Sequence, residues 1–504
     1  MRLDNLLGGN ILASPLKPLG LTPKAQLRSA NQSQFSQFFT SPEIAQFMAG
    51  LFTPTSTKTC HLLDAGAGVG SLSAAFLNRA HRLGLETIEL DAFEIDSSLH
   101  SQLTKTLVSY QTRLNLKVNL HPQDFIHAAS DWLSGNLFAQ PLPRYDYAIL
   151  NPPYQKIHSN SPHRKALRQV GIETVNLYSA FIALSLLLLG DRGQLVAIAP
   201  RSFCNGSYYR PFRQLLLQQA AIQQIHLFES RRQAFKKDKV LQENIILHLE
   251  RGLQQGDVII STSTDDTFHD LTQREYPFKQ IVSSSDPERF IHIPTPQESR
   301  STSLSSKFCY SLADLGIHVS TGPVVDFRLK PHLRQMPDSE TVPLLYPLHV
   351  QDGQITWPQP QSKKANAIAL NSETQKWLYP QGFYCVVRRF SSKEEKRRIV
   401  AGFVDPNRLQ NSLFVGFENH LNVFHKNKQG LSPALARGLM VLLNSTLIDQ
   451  QFRRFSGHTQ VNVTDLKQMR YPSLEIIIDL GNWSQELKQL THGAIDSKLA
   501  ILLQ

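Results

Sequence analysis

Asn151-Pro152-Pro153-Tyr154 follows directly on the apolar run Tyr147-Ala148-Ile149-Leu150. These residue types make a grip for a planar molecule that carries an exocyclic amine. Asn151 brings an amide oxygen, Pro152 a backbone carbonyl with no N–H of its own or of Pro153 to compete for it, and Tyr154 a flat ring. A strand that runs into two prolines cannot continue its hydrogen-bond ladder. The pattern therefore predicts a stiff turn that displays Asn151 and Tyr154 at the strand's carboxyl edge. That edge is where open α/β sheets hold their ligands. A proline-rich surface turn has the same local signature, so the reading depends on what the neighbouring strands end in.

Three earlier segments supply the answer. Leu62-Leu63-Asp64-Ala65-Gly66-Ala67-Gly68-Val69-Gly70 reads as a short buried strand that ends in an acid, followed by a glycine-rich turn and a helix from about Ser71. Glycines at 66 and 68 let the backbone pass close to a ligand, and Asp64 can take up an ammonium group. A phosphate-binding loop is the rival, but no P-loop Lys-Ser/Thr follows. Leu90 to Ile95 is a second strand, with Glu94 and Asp96 at its end where a doubly wound fold places the acid that holds a ribose diol. A helix over about 97–113 and a strand from Leu116 to Leu120 lead to Gln123-Asp124-Phe125, an acid that can accept from an adenine amine beside a ring that can pack on the base. Acids and amides at successive strand ends outline a crevice for an adenosine with an amino-acid tail. Upstream, Thr40 or Ser41 caps an amphipathic helix from Pro42 to Phe52, with Glu43 in its first turn.

The chain has 504 residues, more than one hydrophobic core accommodates, so two domains are expected. Its cysteines (Cys60, Cys204, Cys309, Cys385) are scattered, without the paired spacing of a zinc site or a disulfide framework, and no metal site is expected. The longest apolar run, Phe181 to Leu189, falls short of the roughly 20 residues of a membrane span, and no signal pattern opens the chain. A cytosolic protein with no membrane partner is expected. Net charge is +11, and it is uneven: residues 1–300 carry 29 basic and 25 acidic groups, residues 301–504 carry 23 and 16. A polyanionic partner that docks mainly on the C-terminal part follows.

Taken in order, Phe39-Thr40-Ser41-Pro42, Asp64-Ala65-Gly66-Ala67-Gly68, Glu94, Asp124-Phe125 and Asn151-Pro152-Pro153-Tyr154 resemble the motifs of N6-adenine DNA methyltransferases in their gamma arrangement, as found in restriction–modification methylases. The likeness covers about residues 35–250. It implies a Rossmann-like, S-adenosylmethionine-dependent methyltransferase domain of α/β class over 1–300, followed by a C-terminal mixed α+β target-recognition domain over 301–504. It also implies that Thr40, Asp64, Ala65, Gly66, Gly68, Glu94, Asp124 and Phe125 bind S-adenosylmethionine, and that Asn151, Pro152, Pro153 and Tyr154 hold a flipped adenine. Here Ser41 separates Thr40 from Pro42, whereas the family has Thr and Pro adjacent. In the family an aromatic in a later hairpin packs against the extruded base, a role that falls to Phe235 within Ala234-Phe235-Lys236-Lys237. The implied partners are double-stranded DNA and a separately encoded cognate restriction endonuclease, in a prokaryotic cytoplasm.

The remaining segments fill in this outline. Ile157 to Ile172, polar and basic, reads as a loop that orders over substrate. A Ser-, Pro- and Thr-rich stretch from Ser283 to Ser306 reads as the linker. Beyond it, Arg388 and Arg389 beside Phe390, the cluster Lys393 to Arg398, and Arg453, Arg454, His458 and Gln460 interleave cations and amides with aromatics, as phosphate and base-edge contacts require. Two alternatives share the Asn-Pro-Pro-Tyr grip: protein glutamine methylation, which needs no basic C-terminal domain, and RNA adenine methylation.

Overall fold

The computed structural model describes residues 40–229, 243–284, 286–294, 307–391, 395–409, 411–456, 459–487 and 490–503. The chain divides into two compact units, 1–296 and 297–504. Among the described residues no helix is long and apolar enough to cross a membrane.

In the first unit strands and helices alternate. Helix α1 (Pro42–Gly50) precedes β1 (Thr59–Ala65), α2 (Ser71–Leu77), β2 (Thr87–Phe93), α3 (Ser97–Gln111), β3 (Asn115–His121) and α4 (Phe125–Leu133). Then come β4 (Tyr145–Leu150), α5 (Pro162–Gln169), α6 (Leu177–Leu188), β5 (Leu189–Pro200), α7 (Arg210–Gln219), β6 (Ala220–Phe228), β7 (Asn244–Arg251), β8 (Val258–Ser263) and β9 (Thr272–Tyr276). Together the strands form one sheet in the order β3-β2-β1-β4-β5-β7-β6-β8-β9, with β1 to β5 mutually parallel and β7 antiparallel to both β5 and β6. Strand order reverses between β1 and β4, which opens a crevice beyond their carboxyl ends.

Apolar runs rather than alternating patterns specify these strands, because helices cover both faces. In β4, Tyr147 and Ile149 join the core on one face of the sheet while Ala148 and Leu150 join the core on the other. Parallel pairing of Leu63 with Ala148 sets Ala65 level with Leu150, so the glycine turn and the proline turn emerge side by side. The stretch from Ser283 read as linker is partly core: Phe290, Ile291 and Ile293 are buried, and Arg213 donates to the Glu288 carbonyl at 2.7 Å. Its polar composition concealed three large apolar anchors.

The second unit's strands are β10 (His318–Thr321), β11 (Leu333–Arg334), β12 (Thr341–Leu345), β13 (Val350–Gln351), β14 (Gln354–Ile355), β15 (Ala367–Ala369), β16 (Tyr379–Pro380), β17 (Tyr384–Arg388), β18 (Ala401–Val404), β19 (Phe414–Phe417) and β20 (Leu421–His425). They form a six-stranded sheet in the order β10-β20-β17-β18-β14-β13 and a five-stranded one in the order β11-β15-β12-β19-β16. Helices α8 (Pro433–Leu443), α9 (Thr446–Arg453), α10 (Val463–Gln468), α11 (Leu474–Gln485) and α12 (His492–Leu502) close the chain, which makes the unit mixed α+β. Helices α8 and α11 cross at glycines. A Cβ on Gly438 would overlap the Ile477 carbonyl, and one on Gly481 would overlap the Ala434 carbonyl. Both obstacles are backbone and cannot swing aside. Gly438→Ala is therefore expected to destabilise the second unit by about 2–3 kcal/mol, the upper part of the overpacking range. Denaturant unfolding measures this, and an unchanged midpoint would contradict the close crossing.

Candidate active site

The proline turn leaves β4 at the crevice and immediately folds against its surroundings. Asn151 Nδ2 donates to Thr40 Oγ1 at 3.0 Å, and the Tyr154 hydroxyl donates to Asn151 Oδ1 at 3.3 Å. Both ends of the amide are thus held. Ser41, not Thr40, caps α1, its hydroxyl accepting from Ile44 N at 3.3 Å. The extra residue before Pro42 takes over the cap, and Thr40 is placed against Asn151 instead. Tyr154 is not displayed as expected. It is 9% exposed, and its ring meets Tyr178 edge-on at 6.2 Å. The cause is the segment behind it. Ile157 N donates to Val175 O at 2.8 Å and Leu177 N to Gln155 O at 2.9 Å, so residues 155–177 fold back onto the turn. Within this segment, which the sequence reads as a loop that orders over substrate, α5 is a helix that buries Leu167, and the Arg164 guanidinium bonds Glu173 and the Thr174 carbonyl.

On the other side of the crevice the chain turns at Gly66 (φ 82°) and Gly68 (φ 56°), left-handed conformations that favour glycine. Among the described residues nothing lies within 4 Å of where a Gly68 Cβ would be, which leaves room along the loop. Asp64 is fully buried; Oδ2 accepts from Ser73 Oγ at 2.6 Å, while Oδ1 has no partner among the described residues. Burial, with Glu94 nearby, pushes its carboxyl up to about 7 against the opposing Ser73 hydrogen bonds. A buried acid oxygen without a donor is what a bound ammonium would satisfy. Glu94 accepts from Gly68 N and Asp96 N, each at 2.8 Å, and burial holds it above the usual carboxylate range. It thereby fastens the glycine loop while retaining lone pairs for a diol.

Asp124 caps α4, Oδ1 accepting from His127 N at 3.0 Å, and Oδ2 meets His163 Nε2 at 2.9 Å. Burial pushes Asp124 up, but the bonds from His163 and His127 outweigh it and hold the carboxyl below its ordinary value. His163 is raised by the same bond. Asp124, His127 and His163 also present ligand atoms within 4.8 Å of one another. The direct contact between acid and imidazole accounts for two of the three as a hydrogen-bonded pair. Phe125 is a core residue rather than an open platform. It is 3% exposed, with Phe93 and Phe181 each 5.1 Å away. An exposed apolar surface is found one strand over, at Ile95, which is 50% exposed between Glu94 and Asp96. The sequence reading extends the strand to Ile95, but β2 ends at Phe93. An apolar residue between two acids just past a strand end was the available signal.

Phe235 and His458 lie outside the described residues. Beyond Phe235 the described residues resume at Glu243, whose carbonyl accepts from Arg201 N at 2.6 Å, and Asn244 pairs with Pro200 at the end of β5. In the second unit Arg388 bonds the Val350 carbonyl, and Arg453 Nε donates to Asp449 Oδ2 at 2.6 Å. Arg398, from the basic cluster, is buried over Phe452, its backbone N–H donating to Asp449 Oδ1 at 2.6 Å. These three cations hold the unit together. Arg389 donates to the Asn419 carbonyl at 3.2 Å, and Gln460 bridges to Phe390, which is 45% exposed.

A glycine loop, buried acids and a proline turn at neighbouring strand ends of a doubly wound sheet are the features of a methyltransferase of Rossmann-like fold. The family profile of the Eco57I restriction-modification methylases matches residues 79–235. The chain is 51% identical over 476 residues to the Type II methyltransferase M.BsuBI of Bacillus subtilis, covering 94% of this chain and 95% of that protein. It is 44% identical over 458 residues to M.PstI of Providencia stuartii, covering 90% and 89%. Among solved structures, the type IIG restriction endonuclease BpuSI is similar with a TM-score of 0.46 at 13% identity, over 94% of this chain and 66% of that one. The chain belongs to the Type II methyltransferases of restriction–modification systems. These relatives support DNA methylation over the protein-glutamine and RNA alternatives.

Because Asp64 ionises only near neutrality in the free protein, its contribution to stability is full below the ordinary carboxylate pKa and is lost as pH rises through about 7. Relative to Asp64→Asn, the unliganded wild type is expected to lose thermal stability between about pH 5 and pH 8. Adding S-adenosylmethionine should reduce that dependence, since an ammonium favours the carboxylate. Parallel stability curves for the two proteins would remove the buried acid from the site.

Proposed function

We propose that the protein transfers a methyl group from S-adenosylmethionine to N6 of an adenine flipped out of duplex DNA. The observation that carries this reading is the Asn151 amide, held at both ends by Thr40 and Tyr154 across the crevice from the unpartnered Asp64 oxygen. The amine lone pair of adenine is delocalised into the ring, so the nitrogen is a poor nucleophile until its hydrogens are held out of the ring plane. Asn151 Oδ1 and the Pro152 carbonyl are the acceptors for those hydrogens. When bound, S-adenosylmethionine supplies a methyl group on a sulfonium that leaves readily, so no strong base is required of the protein. Asp64 would hold the ammonium, Glu94 the ribose, and Asp124 the adenine amine, with Ile95 against the base. Gly66 and Gly68 let the loop approach the amino-acid tail. Pro153 stiffens the turn, and Tyr154 acts through Asn151, to whose Oδ1 its hydroxyl donates.

Extruding the base costs a few kcal/mol, and Phe235, within its basic segment, is our candidate to stack on it. The second unit would read the sequence. Arg389, Arg454, His458 and Gln460, with Phe390, are proposed to face DNA, and Arg388 and Arg453 to support them from within. A cytoplasmic location and a separately encoded endonuclease that cleaves the unmethylated site complete the reading.

N6-methyladenine in digests of DNA from cells that express the protein, absent from control cells, tests the reaction. Asn151→Ala is expected to lower methyl transfer by about a hundredfold or more, as loss of a transition-state acceptor does, while calorimetry finds S-adenosylmethionine binding intact. Transfer within about tenfold of wild type would exclude Asn151 as that acceptor.

A further inference from the structure

The segment behind the catalytic turn is a strap fastened at both ends. Lys156 bridges to Asn176, and the paired bonds of Ile157 with Val175 and of Leu177 with Gln155 close its foot directly behind Tyr154. Midway, Ser161 caps α5, and the second residue of that helix is His163. His163 reaches out of the strap to Asp124 Oδ2 at 2.9 Å, across 39 residues of sequence. Both side chains are about one-third exposed or less, 32% and 27%.

We propose that His163 is a positioning residue for the methyl donor, fixing the Asp124 carboxylate that accepts from the donor's adenine amine. This rests on the reading of Asp124 given above. As a helix cap, Asp124 has one oxygen bound to the His127 N–H, which still leaves the carboxylate free to rock about that bond. A second donor on the other oxygen removes the rocking and directs the remaining lone pairs. Because α5 belongs to the strap, the same hydrogen bond ties the donor's base pocket to the turn that carries Asn151. A misplaced acid would weaken donor binding without altering the amine acceptors, so its loss should register in the KM for S-adenosylmethionine rather than in kcat.

The test uses the full-length enzyme with unmethylated genomic DNA and varied S-adenosylmethionine. His163→Ala is expected to raise KM for S-adenosylmethionine about tenfold, the loss of one hydrogen bond to a charged group, with kcat at saturation changed less than about twofold and KM for DNA unchanged. His163→Gln, whose amide can still donate, should recover most of the loss, and this rescue separates positioning from a folding defect. In an Asp124→Ala background, His163→Ala should add nothing further. An unchanged KM in His163→Ala alongside a raised KM in Asp124→Ala would overturn the proposal, as would additive effects in the double variant or failure of the Gln rescue. An unchanged KM in Asp124→Ala would instead remove the acid from the donor site, and the role of His163 with it.

Discussion

Parallel pairing of β1 with β4 is the constraint on which the site depends. Leu63 lies opposite Ala148, so both strands reach the sheet edge together and release their turns side by side. On the proposed reading neither turn would serve alone, because the glycine loop would hold the methyl donor and the proline turn the target amine. A slip of one residue would also send every core side chain of β4 to the wrong face. Burial of Leu62, Leu63, Ala148 and Ile149 on the two faces therefore secures the alignment of chemistry as well as the fold.

Around that alignment, polar groups are arranged to hold other polar groups. Glu94 takes the backbone N–H of Gly68 and so shapes the loop, Thr40 takes the Asn151 amide, and His163 takes Asp124. Each is a residue from one element fixing a residue from another, and each contact costs little because the partner is already positioned by a strand end or helix cap. Asp64 is the exception. It lies fully buried with one oxygen unmatched, and burial drives its carboxyl to about 7. Burial disfavours the ionised form of such a group and a neighbouring cation favours it, so on the proposed reading Asp64 would gain most from the donor's ammonium.

The second unit shows how little a basic cluster says about which of its cations face outward. Arg398 is buried, and Asp449 serves both its backbone and the guanidinium of Arg453. Arginine is well suited to such internal work because its planar fork binds carbonyls and carboxylates at once. The excess charge of the unit still attracts a polyanion, but individual side chains divide between scaffold and surface according to packing.

By itself the sequence determined the alternation of strands and helices, the placement of Asp64, Glu94 and Asn151 at or just beyond the carboxyl ends of β1, β2 and β4, and the family. Apolar runs, glycine-rich turns and Pro-Pro are local signals that act over a few residues. Only the tertiary structure decided that Tyr154 turns inward onto Tyr178, that Phe125 joins Phe93 and Phe181 in the core, that Ile95 lies open, and that Ser41 takes the cap and releases Thr40 to Asn151. The pairs Thr40–Asn151 and His163–Asp124 span 111 and 39 residues. No period or propensity encodes them, because they arise where separate elements meet, and a side chain's exposure depends on what the rest of the chain places over it.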